Sequence, residues 1–350
     1  MNRFAINLNY IPLLVTISLF VLMFGLGSVF YQGFFSPQVF LNLFIDNAFL
    51  CIVATGMTFV IISGGIDLSV GSVVALTTMV SAALLETYHW NPFPVLVLVL
   101  AMGASLGCVM GCLIHFFKLQ PFIVTLAGMF LARGLCYLVS IDSISISNPL
   151  YASISQYRLP LFGDSSISVG VVIALVVLTV AIFIAHFTKF GRTVYAIGGN
   201  EQSAVLMGLP VGRTKILIYT LSGFCSALAG VVFTFYMLSG YGLHATGMEL
   251  DAIAAVVIGG TLLTGGVGYV VGTLFGVLIL GVIQTLITFD GTLSSWWTKI
   301  VIGLLLFAFC LMQRAFESGT GKLKAGASAA VQRRQAQVRA MATKDVSAVT

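Results

Sequence analysis

Of the 350 residues, 59% are hydrophobic and only 8% are charged, the mean hydropathy is +1.08 and the formal net charge is +5. Soluble domains carry about 25% charged residues, so this composition excludes a soluble globular enzyme and leaves an all-α polytopic membrane protein. The 6 cysteines are scattered through apolar segments without the spacing of a zinc site and read as small core residues.

Taken in chain order, polar, Pro and Gly breaks cut the sequence into about ten apolar segments of spanning or near-spanning length. They run over Pro12–Tyr31, Val39–Ile62, Val70–Leu85, Pro94–Phe117, Phe122–Ile141, Val169–Phe187, Ile216–Leu238, Ala252–Leu263, Val267–Phe289 and Lys299–Leu311. The first lacks a small-residue cleavage pattern and is expected to be a retained helix. The third and eighth are short, which leaves about eight to ten spans and two Gly-rich segments that are broken or re-entrant.

With the N-terminus in the cytoplasm, Lys118, Lys189, Arg192, Arg213, Lys215 and Arg314 fall inside, whereas Glu86, Asp142, Asp164, Glu249, Asp251 and Asp290 fall outside. Arg158 and Lys299 are the exceptions to this positive-inside bias, which predicts cytoplasmic N and C termini. A transmembrane domain is therefore expected over 1–316, followed by a basic, flexible cytoplasmic tail at 317–350. That tail lacks the aromatic interleaving and folded module of a nucleic-acid binder.

The outer loop 142–167 is rich in Ser, Asn and Pro, and its Ile-Ser alternation at Ser143–Ser147 suits a short hairpin or strand. It is the expected outer docking surface. Gly103, Gly107 and Gly111 recur every four residues and so form a close-packing seam, as do Gly223, Ala227 and Gly230, and Gly272 and Gly276. Trp296 and Trp297 read as interfacial anchors.

The stretch Ile62–Leu76 is echoed by Ile258–Gly272. Both place a Gly pair (Gly64-Gly65, Gly259-Gly260) at a helix end, then polar residues (Asp67 and Ser69; Thr261), then Val-Gly opening another apolar run, at Gly71 in the first copy. Matching Gly-rich interruptions point to a translocation pathway, since unwound backbone is tolerated at membrane depth only where it is buried or wet. Asp67 is either a pathway residue or the cap of the helix that starts near Ser69. Arg133, the other charge noted inside the apolar core, reads as a structural ion pair or a carbonyl clamp, and Pro121 starts its helix.

The longest internal stretch that lipid would reject is the basic island 189–213. Within it Asn200 is a good N-cap, Glu201 places negative charge in the first turn, Gly208 suits the C′ position and Pro210 stops continuation. A helix of about two turns is unstable alone in water. It is either a well-capped connector or a docking element, with Ala204, Leu206 or Leu209 as apolar contacts. There is no Gly-x-x-x-x-Gly-Lys-Ser/Thr phosphate loop, and no paired nucleophile and base, so neither ATP binding by that route nor catalysis is expected of this chain.

The blocks Gly64–Gly71, Pro121–Gly128, Gly198–Glu201 and Glu249–Gly260 resemble the permease subunits of bacterial ABC importers for ribose, xylose, galactose and related monosaccharides, over most of residues 10–315. Within that family the chain is most similar to galactofuranose importer permeases. The resemblance implies two permease chains around a central path, a cytoplasmic ABC ATPase that carries the ATP and Mg, and a periplasmic sugar-binding protein, all at a bacterial inner membrane. It implies that Asn200–Met207 is the coupling helix, so Gly198, Gly199, Asn200, Glu201, Ala204, Gly208 and Leu209 are the candidate ATPase-coupling residues. The candidate pathway residues are Gly64, Gly65, Asp67, Ser69, Gly71, Thr125, Arg133, Gly259, Gly260 and Thr261. Two rival readings are an ion-coupled secondary transporter, which would need paired buried carboxylates, and an ABC permease for branched-chain amino acids or nucleosides.

Overall fold

The computed structural model describes residues 11–163, 165–294 and 296–313, so the basic tail and its expected flexibility lie outside the described residues. The first of two compact units, Met1–Gly303, carries almost all of the described chain; the second, Leu304–Thr350, is described to Gln313 and is helical there. Among the described residues, nine helices are long and apolar enough to cross a membrane. The protein is a multi-pass membrane protein built almost wholly of helices.

The helices are α1 (Ile11–Phe30), α2 (Pro37–Ile62), α3 (Val70–Ala82), α4 (Pro92–Phe116), α5 (Pro121–Val139), α6 (Pro149–Gln156), α7 (Val169–Phe187), α8 (Lys189–Gly199), α9 (Glu201–Leu206), α10 (Val211–Met237), α11 (Met248–Ile258) and α12 (Val270–Asp290), with a last span, α13, at Trp296–Gln313. Two of the segments that look short in sequence resolve differently. A π-helical turn at Ala83–Thr87 lengthens α3 into an 18-residue span. The 11 residues of α11 rise only about 16 Å, half of a bilayer core.

Local chemistry sets the helix starts. Proline opens α2, α4, α5 and α6 because its missing N–H and fixed φ cost nothing in a first turn. The residue before it often caps: Ser36 accepts from Val39 N, Asn91 from Phe93 N and Asn148 from Leu150 N.

The long helix α10 is packed by α2, α3 and α4. The glycine seam of α4 is what admits it: a Cβ on Gly111 would sit 2.8 Å from Ile216 Cα, and one on Gly107 would collide with the Tyr219 carbonyl. Backbones approach there because no side chain intervenes. Buried apolar residues such as Phe59, Met79, Ile218 and Ile279 fill the centre.

The all-helical expectation is modified at two small antiparallel pairs. The Ile-Ser alternation does form a strand, β1 (Ile144–Ser145), but its partner is the distant β4 (Ser239–Gly240). A true hairpin follows it, β2 (Arg158–Phe162) with β3 (Ser165–Ser168). The loop is folded onto the bundle: Glu86 accepts from Ser147 N, Ser147 Oγ and Asn148 N at 2.6–3.0 Å, and fully buried Tyr151 of α6 meets Phe235 with ring centroids 4.9 Å apart.

Candidate functional site

The polar island folds into two short helices. Thr188 Oγ1 accepts from Gly191 N to start α8, and Asn200 Oδ1 accepts from Ser203 N at 2.7 Å to start α9. Gly208, with φ +74, closes α9 by directing its N–H to Val205 O, while Leu209 N bonds Ala204 O. Glu201 forms an ion pair with Lys215 at 2.7 Å across the turn. Ala204 turns inward, fully buried with Ile197 and Val211, and Leu209 packs against them. The outward face is instead Val205, Leu206 and Met207, with Leu206 88% exposed. Of the apolar contacts expected for α9, Ala204 and Leu209 thus face the chain's own core and Leu206 faces out.

The loop is welded to both sequence echoes. The first break, between α2 and α3, opens at Gly64 (φ +81), and the second, between α11 and α12, contains Gly260, Gly265 and Gly266, all at positive φ. Gly266 N donates to Ile62 O at 2.8 Å. A Cβ on Gly265 would lie 2.9 Å from Gly64 N, one on Gly266 would lie 2.9 Å from Gly199 Cα, and one on Gly198 would collide with Ile62 O and Gly266 N. Three backbones therefore meet with no side chains between them. Tyr195 adds a strut, donating to Gly268 O at 2.8 Å. Burial, with Tyr269 nearby, pushes its phenol up to about 12, so it stays a donor at neutral pH.

The first break is held by Asp67, which is fully buried. Its Oδ1 accepts from Ser69 N at 2.9 Å and Ser69 Oγ at 2.6 Å, and its Oδ2 from Ser222 Oγ of α10 at 2.7 Å. A buried carboxylate is tolerated when such donors surround it. Asp67 thus closes a turn onto Ser69, the residue before α3, without capping the N–H groups of the helix itself, and ties the break to α10. The Thr125 hydroxyl lies 3.3 Å from Ile66 O and Tyr219 crowds Gly65. In the second break Gly259 packs on Gly272 backbone, Gly260 meets Pro12, and Thr261 is fully buried.

Other candidate residues lie apart from this node. Gly71 packs against Glu249 and the Ala245 carbonyl. Arg133 is a carbonyl clamp: its Nη1 donates to Gly242 O at 2.5 Å and His244 O at 2.8 Å, fixing the segment that leads into α11. Sequence reasoning missed Ser222, Lys215 and Tyr195, whose partners are remote in the chain. It also missed Asp46, Asn47 and Gln284, polar residues inside α2 and α12 whose presence in an apolar run was itself a readable signal.

Residues 39–310 match the family described as "Branched-chain amino acid transport system / permease component". The chain is 53% identical over 304 residues to the inner membrane ABC transporter permease protein YjfF of Escherichia coli, covering 87% of this chain and 92% of that protein. It belongs to the ABC-transporter permease family. This permease is also 41% identical to the fructose import permease protein FruG of Bifidobacterium longum (92% of this chain, 96% of that one), and 40% identical to the ribose import permease protein RbsC of Bacillus subtilis (85% and 91%). No solved structure matches it. As the permease component it is the membrane part of its transporter and not the ATPase, and it resides in the inner membrane as a multi-pass protein.

Proposed function

We propose that this permease carries a monosaccharide across the inner membrane in an importer completed by a cytoplasmic ATPase, a second permease chain and a periplasmic sugar-binding protein. What carries the reading is identity of 40% or more, over most of both chains, to permeases named for fructose and ribose import. Galactofuranose, the cargo suggested by sequence resemblance, is the first sugar to test, with ribose and fructose beside it.

The geometry supports a mechanical role for the island. The exposed Val205–Met207 tip of α9 offers the ATPase an apolar grip, and the inner face of α8–α9 is fixed to the permease through Ala204 and the glycine contacts. Force applied at the tip passes through Gly198 and Gly199 to the ends of both breaks at once. Closure of the ATPases then biases the permease between its two orientations by differential contact, as any two-state coupling requires.

Proteoliposomes holding this permease with its second permease chain and a cognate ATPase and binding protein test the reading. ATP-dependent uptake of one of the three sugars is expected; uptake by the permease alone would turn the assignment toward a secondary transporter. The family description favours one second reading, a branched-chain amino acid cargo. Tight binding of leucine, with no sugar bound, by the cognate binding protein would select it.

A further inference from the structure

At the end of the bundle opposite the coupling loop, two adjoining cavities of about 290 and 260 Å³ share walls at Asn47, Leu50, Asp251 and Gln284. Each alone approaches the lower end of the range of about 300–1,000 Å³ for small-molecule sites, and together they lie within it. Their polar groups come from four helices: Asp46 and Asn47 of α2, Tyr236 of α10, Asp251 of α11, and Gln284 of α12, with Lys299 beyond.

These groups cannot face lipid. Asp46 and Gln284 sit within spanning helices and are exposed, and at that depth an ionised or amide side chain must meet protein or water. Their satisfaction is partial. Asp46, a lining residue, accepts from Tyr236 Oη at 3.1 Å through Oδ1, and its carboxyl keeps further acceptor capacity. Asp251 and Lys299 neutralise each other through two contacts of 2.7 and 2.8 Å. The ring of Phe49 packs on Phe233 and Tyr236 with centroids 4.8 and 5.9 Å away, forming an apolar wall beside the acceptors.

We infer that this cavity pair is a contact site for a neutral monosaccharide on the permease itself. A carboxylate and amides suit hydroxyl donors, the paired Asp251–Lys299 adds no net charge, and the aromatic wall suits the C–H face of a sugar ring. An anionic solute would meet Asp46 with no free cation opposing it. The inference rests on the import reading above and adds where along the chain the cargo is touched.

Two variants in the assembled transporter test it. Gln284→Trp fills the cavity and is expected to cut uptake about tenfold while binding-protein-stimulated ATP hydrolysis persists. Gln284→Cys, a milder change, is expected to react with a membrane-impermeant maleimide above the wild-type background, and more slowly in the presence of the transported sugar among ribose, fructose and galactofuranose. Wild-type uptake in the Gln284→Trp variant, or a Gln284→Cys thiol that refuses the reagent because a dry protein contact covers it, would overturn the site. Protection by leucine but by none of the sugars would overturn its ligand. Failure of the import reading would look different: the wild-type complex would then move none of the three sugars.

Discussion

The two Gly-rich breaks look alike in sequence but are held differently. The first is fastened by a side chain, because Asp67 collects donors from Ser69 and from Ser222 on another helix. The second carries three left-handed glycines, Gly260, Gly265 and Gly266, and backbone bonds across its own turn, from Leu262 N to Val267 O and from Gly265 N to Leu262 O. A network of this kind resists small displacement, since moving one donor leaves a buried polar group short of a partner. Glycine turns give way more easily, as their conformers lie close in energy. The first break is therefore expected to yield less than the second when the island moves.

Five substitutions separate these roles. The largest effect is expected from Gly198→Val, which forces a Cβ into the backbone of both breaks; uptake should fall to background and the purified complex should lose thermal stability, whereas Gly199→Ala, with nothing within 4 Å of its Cβ, should transport normally. Equal behaviour of the two would break the picture of a backbone weld. Next is Asp67→Ala, expected to cost about 2–4 kcal/mol in a denaturant or thermal melt by stranding buried donors; a melt unchanged from wild type would mean that the first break is no more fixed than the second. Gly265→Ala should cost about 2–4 kcal/mol, from its left-handed conformation and from a Cβ 2.9 Å from Gly64 N, and slow transport more than Asp67→Ala does; the opposite ranking would mean that the second break yields no more than the first. The smallest change is expected from Lys215→Met, since its ion pair with Glu201 is partly exposed and worth about 0–1 kcal/mol. A measurable loss of ATPase assembly in that variant would give the pair a docking role.

What could be read from the sequence was mostly local. The caps at Asn200 and Gly208 and the stop at Pro210 depend on residues within a turn of each other, so the island's two ends were legible before any coordinates. The α4 glycine seam followed from a four-residue period. Asp67 looked like a pathway residue or the cap of α3, but it bonds Ser69 in a turn before the helix and does not cap it. Its bond to Ser222, 155 residues on, was not legible, because nothing in either neighbourhood specifies the other. The same distance hid the pairing of Ile144 with Gly240 and the meeting of Gly198 with Gly266. Ala204 looked like an outward contact because a six-residue helix shows too little periodicity to mark its inner face. Asp46 was overlooked for a simpler reason: polar residues were weighed at the glycine breaks and not within the long apolar run that contains it.

The bare tip of α9 has a consequence for the cell's handling of this protein. Val205, Leu206 and Met207 present a small sticky surface whenever the matching subunit is missing. On the docking reading proposed above, copies made without that subunit are expected to be cleared faster, and half-life measured with and without the ATPase gene reads that dependence directly.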